Sequence, residues 1–303
     1  MAQVTIKEML DAGVHFGHQI ARWNPKMKPF VFGERGGIHI IDLQKTMIAT
    51  QEAIDFVKKA SANGSRMIMV GTKKQAIEPI QEAAQKCGQF FVTKRWLGGT
   101  LTNFQTIKAS KDRLKKLEIM KEKGDFQYFT KKELARVEKE HTRLVEYLEG
   151  IREMKEPPGI LFVVDLKKEH IAVAEAKRLG IKVVGIADTN ADPEIIDFPI
   201  PGNDDAIRSI KLFSDLIAEA YLEGAKEWNV KKQAEADKAA AEEKSARNKK
   251  EKESRENTAG GPSVVKVSKR KLVAAGTADD VEIEMELNEG GETTTETTED
   301  SES

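Results

Sequence analysis

Four short runs of almost continuous apolar residues punctuate a polar chain: RMIMVG at 66–71, FFV at 90–92, GILFVVD at 159–165 and KVVGIAD at 182–188. A strand apolar on both sides must be covered on both faces, which is the condition of a parallel sheet between helices. The segments between the runs have helical character. One begins near Gln44 and ends with Ile54, Phe56 and Val57; others cover roughly 73–86 and 169–180. A last amphipathic helix is expected from about Asp204 to Trp228, with Ile207, Ile210, Phe213, Leu216, Ile217 and Tyr221 on its apolar face. The expected fold class is therefore an α/β sandwich with a parallel sheet.

The alternation breaks between residues 102 and 155. Thr102 to about Lys123 reads as one charged helix, with Ile107, Leu114 and Leu117 on one side. A second begins at Thr130, which with Glu133 three positions later makes a capping box, and carries Leu134, Val137, His141, Leu144 and Leu148 at i+3 or i+4. Their thin apolar seams predict an inserted antiparallel coiled-coil hairpin that projects from the α/β body. The body thus comprises 1–101 and 156–228. Residues 229–303 form a low-complexity extension expected to be disordered, although its Ala/Glu/Lys part has transient helical character.

Charge is distributed unevenly. Residues 1–132 carry +11, 133–228 carry −7, 229–271 carry +6 and 272–303 carry −11, although the whole chain sums to −1. A basic half with a distant acidic end points to a polyanionic partner. The single Cys excludes a disulfide framework or a Cys-rich zinc module, and no apolar run reaches the roughly 18 residues that span a membrane. A cytoplasmic protein is expected.

Two segments combine cations with indoles. In RWNPKMKPFVFGERGG (22–37), Arg22, Lys26 and Lys28 accompany Trp23; its prolines and glycines predict an extended chain rather than a helix. In TKRWLGGTLTNF (93–104), Lys94, Arg95 and Trp96 repeat the theme directly after a strand. Such segments follow a phosphate backbone while a ring stacks on a base. Lys73 and Lys74 of VGTKKQA lie where a strand passes into a helix, a place that favours anions, though the motif is neither a P-loop nor GxGxxG. Lys108, Lys111, Arg113, Lys115 and Lys116 add a basic stretch on the first hairpin helix, with phosphate contacts expected from Lys108 to Lys116. In GVHFGH (13–18) the glycines suggest a tight turn, and a structural or RNA-facing role for His15 and His18 outweighs a metal site. The carboxylates Asp188, Asp192, Asp197, Asp204 and Asp205 admit an enzymatic acid or, for Asp204, a helix cap; no nucleophile pair or cofactor loop supports catalysis.

Taken together, MLDAGVHFGH, RWNPKMKPFVFG, VGTKKQA, FFVTKRWLGGTLTNF, PPGILFVVDLKKEHIAVAEAKRLGI and VVGIADTNADPEIIDFPIPGNDDAIRSI resemble the bacterial small-subunit ribosomal protein two family over residues 1–228. The resemblance implies a three-layer α/β/α body of flavodoxin-like arrangement with a coiled-coil insertion. It further implies a non-catalytic structural component of the small ribosomal subunit in translation. Such a component binds ribosomal RNA, helps dock ribosomal protein one, and has no small-molecule substrate and no membrane. Some members are reported to hold zinc near that partner, which would fall on Asp188, Asp204 and Asp205; otherwise no cofactor or metal is implied. The same aspartates are the expected protein-partner residues. The family offers no precedent for the extension after about Trp228.

Overall fold

The computed structural model describes residues 4–124, 126 and 129–256. The basic island at 264–276, the acidic end and the expected disorder beyond 256 lie outside the described residues, as do residues 125, 127 and 128 of the hairpin turn. Two compact units are present, 1–245 and 246–303; the second is described only to Glu256, where it is helical.

The first unit opens with a short helix α1 (Ile6–Asp11). A three-stranded antiparallel sheet follows, from β1 (Phe16–Gln19), β2 (Val31–Arg35) and β3 (Ile38–Ile41) in the order β1-β3-β2. Then come α2 (Leu43–Ser61), β4 (Met67–Val70), α3 (Lys74–Cys87) and β5 (Phe90–Val92). The hairpin consists of α4 (Phe104–Glu122) and α5 (Lys131–Leu148), and the chain returns through β6 (Ile160–Val164), α6 (His170–Arg178), β7 (Lys182–Ala187) and β8 (Phe198–Pro201) to α7 (Ile207–Glu256). The second sheet is wholly parallel, in the order β5-β4-β6-β7-β8.

Every residue of β4 and β6 is buried, and their alternate side chains enter two separate cores. Met67, Met69, Ile160, Phe162 and Val164 pack with α2, α3 and α7. Ile68, Val70, Leu161 and Val163 pack with α6 and the root of the hairpin. This is the double coverage that the unbroken apolar runs require. The hairpin is anchored in that second core by Ile107, Leu114 and Leu148, while Leu134, Val137, His141 and Leu144 are half-buried along its seam. Its capping box forms as expected: Thr130 Oγ1 accepts from the Glu133 N–H, and Glu133 accepts from the Thr130 N–H at 3.1 Å.

The small antiparallel sheet was not expected, and three further features differ from the sequence expectation. Residues 25–30 form a 3₁₀ helix, because Pro25 takes the first helical position, where no N–H is needed, and the Asn24 side chain accepts from the Lys26 N–H. A strand, β8, forms at Phe198–Pro201 among the prolines and aspartates of 188–205, where no strand was expected. Its Pro199 and Pro201 lack N–H groups, which is tolerated at the edge of a sheet. The last helix does not stop near Trp228 but continues to Glu256, through Ala, Glu and Lys residues of high helix propensity. Phe162 is fully buried in the central strand. Phe162→Ala should cost about 3–5 kcal/mol, read as a lower midpoint in denaturant unfolding.

Candidate functional site: the carboxyl ends of the parallel strands

Both faces of the sheet are dry, so its charged groups gather at the strand ends. Beyond the carboxyl ends of β4, β6, β7 and β8, against β1, lies a cluster of Lys73, Asp165, Asp188, Asp204, Asp205 and His18. The Lys73 Nζ lies 3.0 Å from Asp165, 2.7 Å from Asp204 and 2.8 Å from Asp205. Burial lowers its pKa, but these carboxylates outweigh burial and hold it well above the usual lysine range. Asp165 sits at φ 70, the single non-glycine with positive φ among the described residues; its carboxylate also accepts from the Lys168 N–H. At the switch point between β4 and β6, where such sheets place ligands, Lys73 is therefore taken up by the chain's own carboxylates.

His18 Nδ1 lies 3.0 Å from Asp188, whose other oxygen accepts from the Thr189 N–H and hydroxyl. The hydrogen bond to Asp188 raises the His18 pKa despite burial, and burial together with the Asp188 charge pushes Asp204 up to about 7. Gly17 makes this arrangement fit. A Cβ there would lie 2.6 Å from Thr189, against which the His18 N–H donates at 2.9 Å. Gly13 turns the chain at φ +75 just before, as the glycine pair suggested. The capping role offered to Asp204 falls to Asn203, whose side-chain oxygen accepts from the Asp205 and Ala206 N–H groups at 2.8 and 3.1 Å.

His18, Asp188 and Asp204 each bring one donor atom within 4.8 Å of the others, and Asp204 Oδ2 is buried without a hydrogen-bond partner. One imidazole and two carboxylates suit zinc, so the residues present fit the ion that the resemblance implies. The expected set held Asp205 in place of His18; Asp205 is exposed and lies 3.4 Å from His18 Nε2. His15 stands apart, packed on Phe16. Asp192 and Asp197 also leave the group, the first to Lys26 and the second to Lys182 at 2.6 Å.

Around this cluster, the loops after β4, β5 and β6 turn bases outward, while Glu169 and Glu175, just before and within α6, turn inward to hold those loops. Buried Glu169 accepts from the Thr72 N–H and hydroxyl, while Lys168 donates to the Thr72 carbonyl. Buried Glu175 accepts from the Trp96 indole (3.1 Å), the Gly99, Leu101 and Thr102 N–H groups (2.7, 2.9 and 3.0 Å) and the Thr102 hydroxyl. RWLGGTLTN is thus wrapped around one carboxylate. Lys74, Arg95, Lys167 and Lys168 remain exposed. The sequence reading missed Lys167 and Lys168. Their position after an apolar run that ends in Asp165 was the available signal.

Several expected RNA contacts are engaged within the protein. Trp96 is a core residue, 5% exposed, and cannot stack on a base. Lys73 is occupied as described. Lys26 pairs with Asp192 at 2.8 Å and Glu194 at 2.6 Å, Lys94 lies 3.4 Å from Glu146, and Arg113 makes two bonds to Glu140 across the hairpin. Lys111 donates to the Met154 carbonyl. Trp23 is half-buried, tilted on His39 at 5.2 Å between ring centroids, while Arg22, Lys28 and Lys108 are exposed.

Burial opposes ionisation of Glu175, but its donors prevail and hold it below its ordinary value of 4.5. Its contribution to stability is therefore complete above that value and lost as pH falls through the depressed one. Glu175→Gln should cost about 1.5–3 kcal/mol near neutral pH. In chemical unfolding, the gap from the unsubstituted protein should close at low pH.

Comparison with known proteins extends the resemblance over most of the chain. The model of the family described as Ribosomal protein S2 matches residues 9–224. A relative from Bdellovibrio bacteriovorus, named small ribosomal subunit protein uS2, is 65% identical over 97% of this chain and 98% of its own length. Proteins of the same name from Treponema pallidum and Geotalea uraniireducens are each 55% identical, over 76% and 77% of this chain and 79% and 91% of their own. Coverage of 97% takes the Bdellovibrio alignment into the extension after Trp228, which therefore has a precedent in a relative, contrary to expectation. With the family match spanning the sheet, the strand-end cluster and the hairpin, the chain belongs to the ribosomal protein S2 family.

Proposed function

We propose that this protein, a non-catalytic component of the small ribosomal subunit in translation, grips ribosomal RNA through the loops that follow β4, β5 and β6. The observation that carries the reading is the separation of charge there: Glu169 and Glu175 are buried and satisfied by N–H and O–H donors, while Lys74, Arg95, Lys167 and Lys168 face solvent. Cations without carboxylate partners contact phosphates at little cost, since no ion pair has to break. Exposed Arg22 and Lys28 extend the same capacity to the segment before β2, and half-buried Trp23 offers part of a ring there. The strand order, 2-1-3-4-5 when the parallel strands are counted in chain order, supports the flavodoxin-like reading of the body.

The acidic face around Asp188, Asp204 and Asp205 repels RNA and suits a protein partner, in this reading ribosomal protein one. Exposed Phe16 and Phe32, 48% and 79% accessible on the small sheet, supply apolar area for docking. Zinc at that face would be held by His18, Asp188 and Asp204, where it would offset the excess of carboxylates. No small molecule is transformed in this reading.

Sedimentation through a sucrose gradient in magnesium tests the RNA grip. The unsubstituted protein should migrate with the small subunit. The triple variant Lys74→Glu, Arg95→Glu, Lys167→Glu should lose about tenfold or more in affinity for small-subunit RNA, with a shallower salt dependence and an unchanged unfolding midpoint. Full association of that variant would overturn the assignment to these loops.

A further inference from the structure

A separate basic feature lies at the root of the hairpin. A cleft of about 480 Å³ opens between α4 and the segment 152–155. Lys108, Lys111 and Lys115, spaced three and four residues apart, line it from one face of α4, and Arg152 and Lys155 line it from the other side. Asp112 and Glu153 are the carboxylates among the lining residues and Glu118 pairs with Arg152 from beside it, so five cations stand against three acids.

Lys111 is already ordered for such a task. It is half-buried, donates to the Met154 carbonyl and lies 4.9 Å from the Phe104 ring centroid. Burial lowers its pKa, so an arriving negative charge would relieve a standing penalty. Arg152 is positioned by Glu118. Lys108, Lys115 and Lys155 are exposed and make no ion pair among the described residues. The described lining contains no aromatic ring on which a base would stack. The cleft is therefore built to recognise charge rather than base identity.

We propose that this cleft receives phosphate groups of the ribosomal RNA backbone, independently of base sequence, as a second contact apart from the strand-end loops. The proposal rests on the RNA-binding reading above; it joins the basic face of α4 to Arg152 and Lys155, which the sequence reading did not single out. It gives the hairpin a role at its root, where α4 joins the body through Ile107 and Leu114 and is held most firmly.

The test uses the full chain and small-subunit ribosomal RNA, with affinity measured across a salt series. The cleft variant carries Lys108→Gln, Lys115→Gln and Lys155→Gln. A control with the same change in charge carries Lys131→Gln, Lys132→Gln and Lys139→Gln, all exposed on α5. The cleft variant should bind about tenfold or more weakly at low salt, with a log–log salt slope shallower by roughly two to three. The control should stay near the unsubstituted protein, and both variants should keep its unfolding midpoint.

A cleft variant that matches the control while the unsubstituted protein binds RNA in a salt-dependent way would overturn the cleft alone. Loss of salt-dependent binding in the unsubstituted protein would overturn both readings. Inorganic phosphate supplies the remaining arm. If it shifts the Lys115 and Lys155 amide resonances and RNA does not displace it, the cleft belongs to free phosphate and the RNA assignment fails.

Discussion

A parallel sheet whose two faces are both dry leaves charged side chains little room except at the strand ends. Everything polar about this protein is arranged around that restriction. Alternate residues of β4 and β6 fill separate cores, so neither face can hold a binding site. Carboxylates, lysines and a histidine consequently meet beyond the carboxyl ends of the strands, where enzymes of related architecture bind ligands. Here the central lysine of that place, Lys73, is neutralised by three aspartates from the protein itself. The crevice is closed by ion pairs, and what remains for partners is the surface around it.

That surface has two characters, separated by which strand ends supply it. Toward β7, β8 and β1 it is acidic, with His18 set among Asp188, Asp204 and Asp205. Toward β5, β4 and β6 it is basic, because Glu169 just before α6 and Glu175 within it are turned inward to bind backbone N–H groups of the loops after β4 and β5. Glu175 shows the economy of this arrangement. One carboxylate accepts from three backbone N–H groups, an indole and a hydroxyl, and so holds a loop containing two glycines in one conformation. A rigid loop presents Arg95 to a partner with less ordering entropy left to lose.

Legibility in the sequence followed how local each signal was. Apolar runs and helical periodicity placed β4, α3, β5, β6, α6 and β7 within a residue or two and the start of α2 equally well, though α2 runs four residues past the expected end at Val57, because burial on two faces leaves an unbroken apolar run and burial on one face leaves a 3.6-residue repeat. The Thr130 capping box was readable for the same reason, since its partners lie three residues apart. The 3₁₀ helix at 25–30 and the edge strand β8 were missed. Proline is a weak guide where it occupies a first helical position or an edge strand.

Residue type and position therefore determined that this chain is an α/β protein with a charged helical hairpin, and that its first half is basic. Tertiary structure alone decided which cations are free. Lys73 and Lys74 are neighbours in sequence, yet one meets three aspartates distant along the chain while the other faces solvent. Trp96 follows Arg95 directly, yet its indole is bound to a glutamate 79 residues away while the arginine is exposed. A side chain's availability depends on partners that the fold brings from far along the chain, and no local pattern records those distances.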